Sequence, residues 1–265
     1  MRSIGSLLHQ LRRKIREDTI EYKFKKSIVT HTPIIVYQMG KVGSMSIYNS
    51  LKEQYQGTVL HRHVLNTVDD WQDGFLFQLV VEKGLPLRLI SLMRDPVGRD
   101  ISAFFQNFEV ITGIKPQDSK YAQSELNTIY FTSPKMDHDV PVTWFNDNIK
   151  KHFGIDIYAE PFNKEEGWAM FKKGNIELLL LKAEISDVKK AALVKDFTGI
   201  KGFKLTASNI GEDKDYATMY TSFKKEIQFP HGYLDKLYTS AEIRYFYTED
   251  EIKGMREKWK TNRPT

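Results

Sequence analysis

The stretch PIIVYQMGKVGSMSIYNSL, Pro33 to Leu51, constrains the fold more than any other, because it joins a buried-strand pattern to a helix through a loop of phosphate size. Ile34, Ile35, Val36 and Tyr37 form a short apolar, β-branched run of the kind a parallel sheet covers on both faces. Gly40-Lys41-Val42-Gly43-Ser44 follows. Its two glycines allow a tight turn with no Cβ in the way of a ligand, and Ser44 is a natural N-cap for the helix that Ile47, Tyr48 and Leu51 continue. Unpaired N–H groups at the helix start, the positive end of the helix dipole and Lys41 converge on one small volume, an anion trap. By itself the loop is equally compatible with a plain strand-to-helix turn. It is not a Walker A loop either: GxxxxGK[ST] places lysine after the second glycine, and Lys41 precedes Gly43.

A second strand-to-helix turn lies in Pro86 to Phe105, PLRLISLMRDPVGRDISAFF. Leu87, Leu89, Ile90 and Leu92 supply the strand, Asp95 can cap the helix, and Pro96 suits its first turn. Arg94 stands at the strand end and Ser102 eight positions on. A guanidinium fork and a hydroxyl can therefore hold a second phosphate some way from the first. Arg99 either supports that site or pairs with Asp95 or Asp100, and pairing is the expectation.

Two anion sites at the carboxyl ends of two strands form the pattern of sulfotransferases that use 3′-phosphoadenosine 5′-phosphosulfate (PAPS), and the chain resembles that superfamily. KVGSMS resembles its 5′-phosphosulfate loop, and Arg94 with Ser102 matches the spacing of its 3′-phosphate motif. RDPVGRDISAFF is similar to the RDPxxRxxSxxx form of the carbohydrate sulfotransferases. Between the two, at the end of a short Thr58-Val59-Leu60 strand, His61-Arg62-His63-Val64 resembles the histidine pair of heparan and dermatan 2-O-sulfotransferases. GIDIYAEPFNKEEGW, NIELLLLKAE and NIGEDKDYATMY resemble, less specifically, bacterial and capsule-associated members. The chain departs from the pattern at Gly40, where the family often has proline, and at Met45, where it has threonine. Met45 cannot donate a hydroxyl hydrogen bond, which shifts the load to Ser44, Ser46 and backbone N–H groups.

The resemblance implies an α/β fold: a P-loop-like parallel β-sheet flanked by helices (the sulfotransferase fold), in a single domain with a helical C-terminal part. It implies PAPS as sulfuryl donor, bound by Gly40, Lys41, Val42, Gly43, Ser44, Met45 and Ser46 and by Arg94 and Ser102, with no metal. The acceptor is a hydroxyl of a polysaccharide or glycolipid. Lys41 is placed to follow the charge that builds on the bridging oxygen as the S–O bond breaks. His63 is the general base, and His61, two positions away on the same face of a strand, orients the acceptor or shares that role. A metal site is the other reading of HxH, but no third ligand has convincing spacing. Asn209, Gly211, Lys214 and Tyr216 resemble the family segment that closes over the nucleotide, and a helix-capping loop explains them almost as well. Trp144 and Trp168 are expected in the core rather than stacked on sugars. A nucleotide-dependent kinase and an inactive nucleotide- or glycan-binding protein are the competing functions. The kinase is disfavoured by the lysine position and the lack of an evident magnesium-holding pair.

The net charge of +5 and a pI near 9.0 favour an anionic ligand without choosing among nucleotide, polysaccharide, nucleic acid and membrane surface. With no cysteine, disulfides and cysteine-ligated zinc are excluded. No apolar run reaches the roughly 18 residues of a membrane span, and the N-terminus lacks the apolar core of a secretory signal. Instead, residues 1–32 read as a basic amphipathic arm. Ile4, Leu7, Leu8, Leu11 and Ile15 recur at helical spacing beside Arg12, Arg13, Lys14, Arg16, Lys23, Lys25 and Lys26. The resemblance implies that residues 33–265 form the sulfotransferase domain. The expected partners are a carbohydrate acceptor, no nucleic acid, and a peripheral membrane contact or self-association through the arm. The expected location is cytoplasmic, with attachment to the inner face of the membrane as the variant.

Helices are expected over Trp71–Lys83, Gln123–Tyr130, Pro141–Phe153 (with Gly154 as its cap), Asp187–Phe197, Asp213–Lys225, Gly232–Leu237 and Thr248–Trp259, the last opened by a Thr248/Glu251 capping box. Strands are expected at Ile155–Tyr158, Trp168–Phe171 and Ile176–Leu181, the last of these central. Asn107 to Asp139 reads as a lid or acceptor-binding insertion, with a plain connection as the alternative.

Overall fold

The computed structural model describes residues 19–206 and 216–260. Helix α1, residues 19–30, carries Lys23, Lys25 and Lys26 and buries Phe24 and Ile28. The apolar series Ile4 to Ile15, the basic residues Arg12, Arg13, Lys14 and Arg16, and Asn209, Gly211 and Lys214 lie outside the described residues.

Five strands form one sheet: β1 (Ile34–Tyr37), β2 (Val59–Arg62), β3 (Leu87–Met93), β4 (Trp168–Lys173) and β5 (Ile176–Lys182), in the order β2-β1-β3-β5-β4. The first three and β5 run parallel, whereas β4 lies antiparallel to β5 at the edge. The all-parallel expectation is corrected by the turn between them: only Gly174 and Asn175 separate β4 from β5, and Gly174, at φ 59°, folds the chain back alongside itself. Both faces are covered, which is why β1 reads as an unbroken apolar run and β3 as one broken only by Arg88 and Ser91. Every residue of β1 is buried, and in β3 and β5 only Arg88 and Glu177 are not. β5 is interior, paired with β3 on one side and β4 on the other, and β3 is the middle strand.

Helix α2 (Met45–Gln54) links β1 to β2; α3 (Trp71–Phe77), running on as a π-helical turn over Gln78–Glu82, returns the chain past β1 to β3, and α4 (Pro96–Gln106) follows. The strand order therefore reverses between β1 and β3, and in such sheets ligands bind beyond the carboxyl ends at the reversal. Next come α5 (Phe108–Thr112), α6 (Gln123–Thr132), and α7 (Val140–Trp144), which passes through a π turn into α8 (Lys151–Phe153) and stops at Gly154, φ 66°. After β5 lie α9 (Asp187–Thr198), α10 (Ala217–Glu226), α11 (Tyr233–Tyr238), α12 (Ala241–Phe246) and α13 (Glu249–Lys260).

The expected strand at Ile155–Tyr158 is instead a 3-10 turn, Ile157–Ala159. Ile155 and Ile157 are buried as a strand's alternate residues would be, but Asp156 accepts from the Tyr158 N–H and supplies locally the bond a sheet neighbour would have made. Helix α12 was not expected; Ser240 caps it by accepting from the Ile243 N–H. The Thr248/Glu251 capping box is present in both directions. The segment from Asn107 to Asp139 is neither bare nor loose. Phe104 and Phe105 of α4, Phe108, Tyr130 of α6 and Phe223 of α10 are all buried and form one cluster, with Phe104 ring centroids 5.4 Å from Tyr130 and 5.7 Å from Phe223. Each such side chain contributes about 1.5–3 kcal/mol by burial.

Candidate functional site

Pairing of β2 with β1 decides where the histidines go. His61 lies within β2 opposite Val36, and His63 just past its end. The expected strand stops at Leu60, whereas β2 runs on to Arg62. Being two apart, they share a face, with ring centroids 4.9 Å apart and the planes 77° to each other. Between them and the loop sits Gln38, which the sequence reading passed over. It is fully buried at the carboxyl end of β1. Its Nε2 donates to Ser44 Oγ at 2.7 Å and stands 3.0 Å from His61 Nε2 and 3.5 Å from His63 Nδ1, while its backbone oxygen is 2.9 Å from His63 Nδ1.

These contacts assign the protons. Ser44 Oγ accepts a hydrogen bond from Gln38 Nε2, so its own hydroxyl can donate to His61 Nε2 at 3.0 Å, leaving the His61 proton on Nδ1. The Gln38 backbone oxygen only accepts, so His63 Nδ1 donates to it and the lone pair of the neutral ring is on Nε2. The ring packs over the loop: a methyl group added to Gly40 would lie 3.7 Å from Nε2, 3.8 Å from Cδ2 and 3.9 Å from Cε1. Burial, then the neighbouring His63 and Arg62, lower the His61 pKa to about 4, so His61 is neutral at physiological pH. The strand end is fastened from outside. Trp144, buried as expected, donates from Nε1 to the His63 carbonyl at 3.0 Å, and Arg62 donates from Nε to the buried Asp73 at 2.7 Å.

The loop departs from its expected form. Gly43 takes a left-handed φ of 79°, but the other left-handed residue is Lys41, φ 72°, and not Gly40. A side chain there costs about 1–2 kcal/mol. Two guanidinium groups hold the strained turn: Arg94 donates from Nη1 to the Lys41 carbonyl at 3.0 Å, and Arg99 from Nε to the Gly40 carbonyl at 2.9 Å. Arg99 also makes the expected pair with Asp100, Nη1 to Oδ1, at 2.7 Å. Val42 is buried and anchors the loop in the core, so only its backbone can face a ligand. Ser44 occupies the N-cap position but does not cap, since its hydroxyl is committed to Gln38 and His61. Ser46 is half-buried and reaches the Gly43 carbonyl at 3.5 Å, and Met45 is exposed.

Arg94 and Ser102 are both half-buried, and among the described residues no hydrogen bond joins them. Asp95 was expected to cap α4; its carboxylate instead accepts from Tyr238 at 2.6 Å and from Trp259 Nε1 at 3.0 Å, binding the turn to α11 and α13. Tyr216 lies at the start of α10, its ring 5.8 Å from Phe105, and Trp168 is half-buried in β4. Among the described residues no three His, Asp or Glu side chains group to hold a metal ion, and no helix is long and apolar enough to cross a membrane.

Fold and site together define an α/β protein with a five-stranded, mostly parallel sheet flanked by helices, whose paired imidazoles and arginine-clamped glycine loop meet at the carboxyl ends of β1, β2 and β3. Residues 129–248, a little under half of the chain, match the model of the NKWYS family, described as "putative capsular polysaccharide synthesis protein", which suggests a polysaccharide-related, biosynthetic function. No curated protein and no solved structure matches the chain. The family match begins within α6 and ends at Thr248, downstream of the loop, the histidine pair and the Arg94 turn.

Proposed function

We propose that the chain is a PAPS-dependent sulfotransferase that moves a sulfuryl group to a hydroxyl of a polysaccharide or glycolipid. The observation that carries the reading is the orientation of His63. With Nδ1 donating to the Gln38 carbonyl, the basic atom of the ring is Nε2, and the ring packs over Gly40, so a base stands beside the loop that carries Lys41. The residues present fit the donor's charge distribution. A loop with left-handed Lys41 and Gly43, its carbonyls engaged by Arg94 and Arg99, matches a 5′-phosphosulfate, and Arg94 with Ser102 lies one strand away for a 3′-phosphate.

Bound PAPS supplies an electrophilic sulfuryl group on a phosphate leaving group. The protein's part is to bring the acceptor hydroxyl against His63 Nε2, which takes its proton as the new S–O bond forms. Lys41 offsets the charge released on the phosphate side, an effect worth several kcal/mol where water is excluded. His61, neutral and bonded through Nε2 to Ser44, keeps the pair in one orientation.

Transfer of radiolabelled sulfate from PAPS to a panel of bacterial glycans tests the reading, with adenosine 3′,5′-bisphosphate expected to raise the melting temperature. An equal rise with ATP and none with the bisphosphate would favour a kinase. Bisphosphate binding without transfer to any glycan would point to a binding protein without turnover.

A further inference from the structure

Behind the loop lies a buried charged cluster that the reaction above does not use. Asp100 of α4 is fully buried. One carboxylate oxygen takes Arg99 at 2.7 Å, and the other is 3.3 Å from His138 Nδ1. His138 Nε2 in turn stands 3.0 Å from the backbone carbonyl of Tyr130 in α6, and Tyr233 of α11 places its hydroxyl 3.3 Å from Nδ1. Nε2 faces a carbonyl, which only accepts, and Nδ1 faces the Asp100 carboxylate beside the Tyr233 hydroxyl. A neutral ring protonated on Nε2 would aim its Nδ1 lone pair at the carboxylate, with the Tyr233 hydroxyl as its donor; the imidazolium donates to carboxylate and carbonyl together. Arg99 carries the effect outward, because its Nε holds the Gly40 carbonyl.

We infer that Asp100 and His138 are positioning residues which, through Arg99, fix the Gly40–Lys41 turn, and that this relay is at full strength only while His138 carries both protons. Every group around the ring bears on that state. Asp100 faces it from α4 with Arg99 beyond, Asp137 lies beside it in its own segment, and from α6 and α11 come Tyr130 and Tyr233, whose own pKa values are raised so that both phenols stay neutral. Burial alone would lower the His138 pKa, but the hydrogen bond and charge of Asp100, the Tyr130 carbonyl and Asp137 outweigh it and raise it. When the proton leaves, Asp100 keeps Arg99 but loses its second cation, the polar link through His138 between α6 and α4 weakens while their aromatic packing stays, and the turn loosens.

The experiment uses the full chain without ligand. Imidazole nitrogen shifts of His138 are followed by NMR, and amide exchange of residues 38–44, corrected for intrinsic rate, is followed over the same pH range in wild type and His138→Gln. We expect His138 to remain doubly protonated above the ordinary histidine pKa of about 6.5, and loop protection in the wild type to fall about three- to tenfold as that proton leaves, with no such step in the variant. A ring that is neutral at pH 6.5, or a loop step that persists in His138→Gln, overturns the relay. If the variant does not fold, the wild-type titration and its coincidence with loop exchange decide. That donor affinity should follow the same step rests on the sulfotransferase reading. Bisphosphate titrations separate the two: no binding at any pH defeats that reading and leaves the relay to be judged by NMR and exchange.

Discussion

Two regions of the molecule divide the work at the candidate site. From Pro33 to Phe105, each strand end presents one chemical group: Lys41 after β1, His63 after β2 and Arg94 after β3. Within that region Gln38, Arg94 and Arg99 make the direct holds on His63 and the Lys41 turn. Residues 129–248 brace the same strand ends from behind: Trp144 on the His63 carbonyl, His138 on Asp100, Glu184 on the Asp95 N–H at 2.8 Å, and Tyr238 on the Asp95 carboxylate. The family match covers the second region and not the first. The reactive groups sit on short local motifs, whereas the outer bracing depends on side chains brought in from far along the chain.

The sharpest way to break this division is to remove a group from each side and compare. His63→Ala should lower the transfer rate about a hundredfold to ten-thousandfold while leaving bisphosphate affinity nearly unchanged, as expected for a general base. Unchanged turnover would remove His63 from that role. Arg94→Ala comes next. It deletes both a candidate phosphate ligand and the bond to the Lys41 carbonyl, and should weaken bisphosphate binding by about 2–3 kcal/mol in calorimetry. An affinity within twofold of wild type would reject the 3′-phosphate assignment.

From the holding region, Trp144→Phe keeps the ring against Tyr37, 5.0 Å away, and removes only the N–H donated to His63. The expected loss is about fivefold in kcat with KM little changed, the size of one hydrogen bond of roughly 1 kcal/mol. A loss confined to stability, with kcat intact, would make Trp144 a packing residue alone. This contact also shows what a sequence hides. The strand runs, the two strand-to-helix turns and the capping box were legible because each is written within a few neighbouring residues. The Trp144 indole and the His63 carbonyl are 81 positions apart, and Arg99 and Gly40 are 59 apart. Gln38 reads as an ordinary polar residue until β1 is paired with β2. Lys41 reads as a charge in a glycine loop until its backbone is seen to carry the left-handed turn. The alternation of Ile155 and Ile157 spells a strand, but β4 already occupies the sheet edge and an aspartate side chain satisfies the turn.

The smallest expected effect separates the regions by the sign of a titration. His61, in the motif region, has a folded pKa lowered to about 4 by burial and then by His63 and Arg62. The unfolded chain therefore binds the proton more readily, and stability falls as pH drops from about 6.5 towards 4. His138, in the holding region, is shifted the other way because Asp100 outweighs burial. Its contribution is complete below about pH 6.5 and disappears as pH rises through the raised value. Replacing His61 with Asn should flatten the acid side of a plot of Tm against pH, and His138→Gln the alkaline side. Each change should be about 1–3 °C once solvent screening of half-buried rings is allowed for. If both variants flattened the same side, the two imidazoles would share one environment, and the contrast between the regions would fail at the site itself.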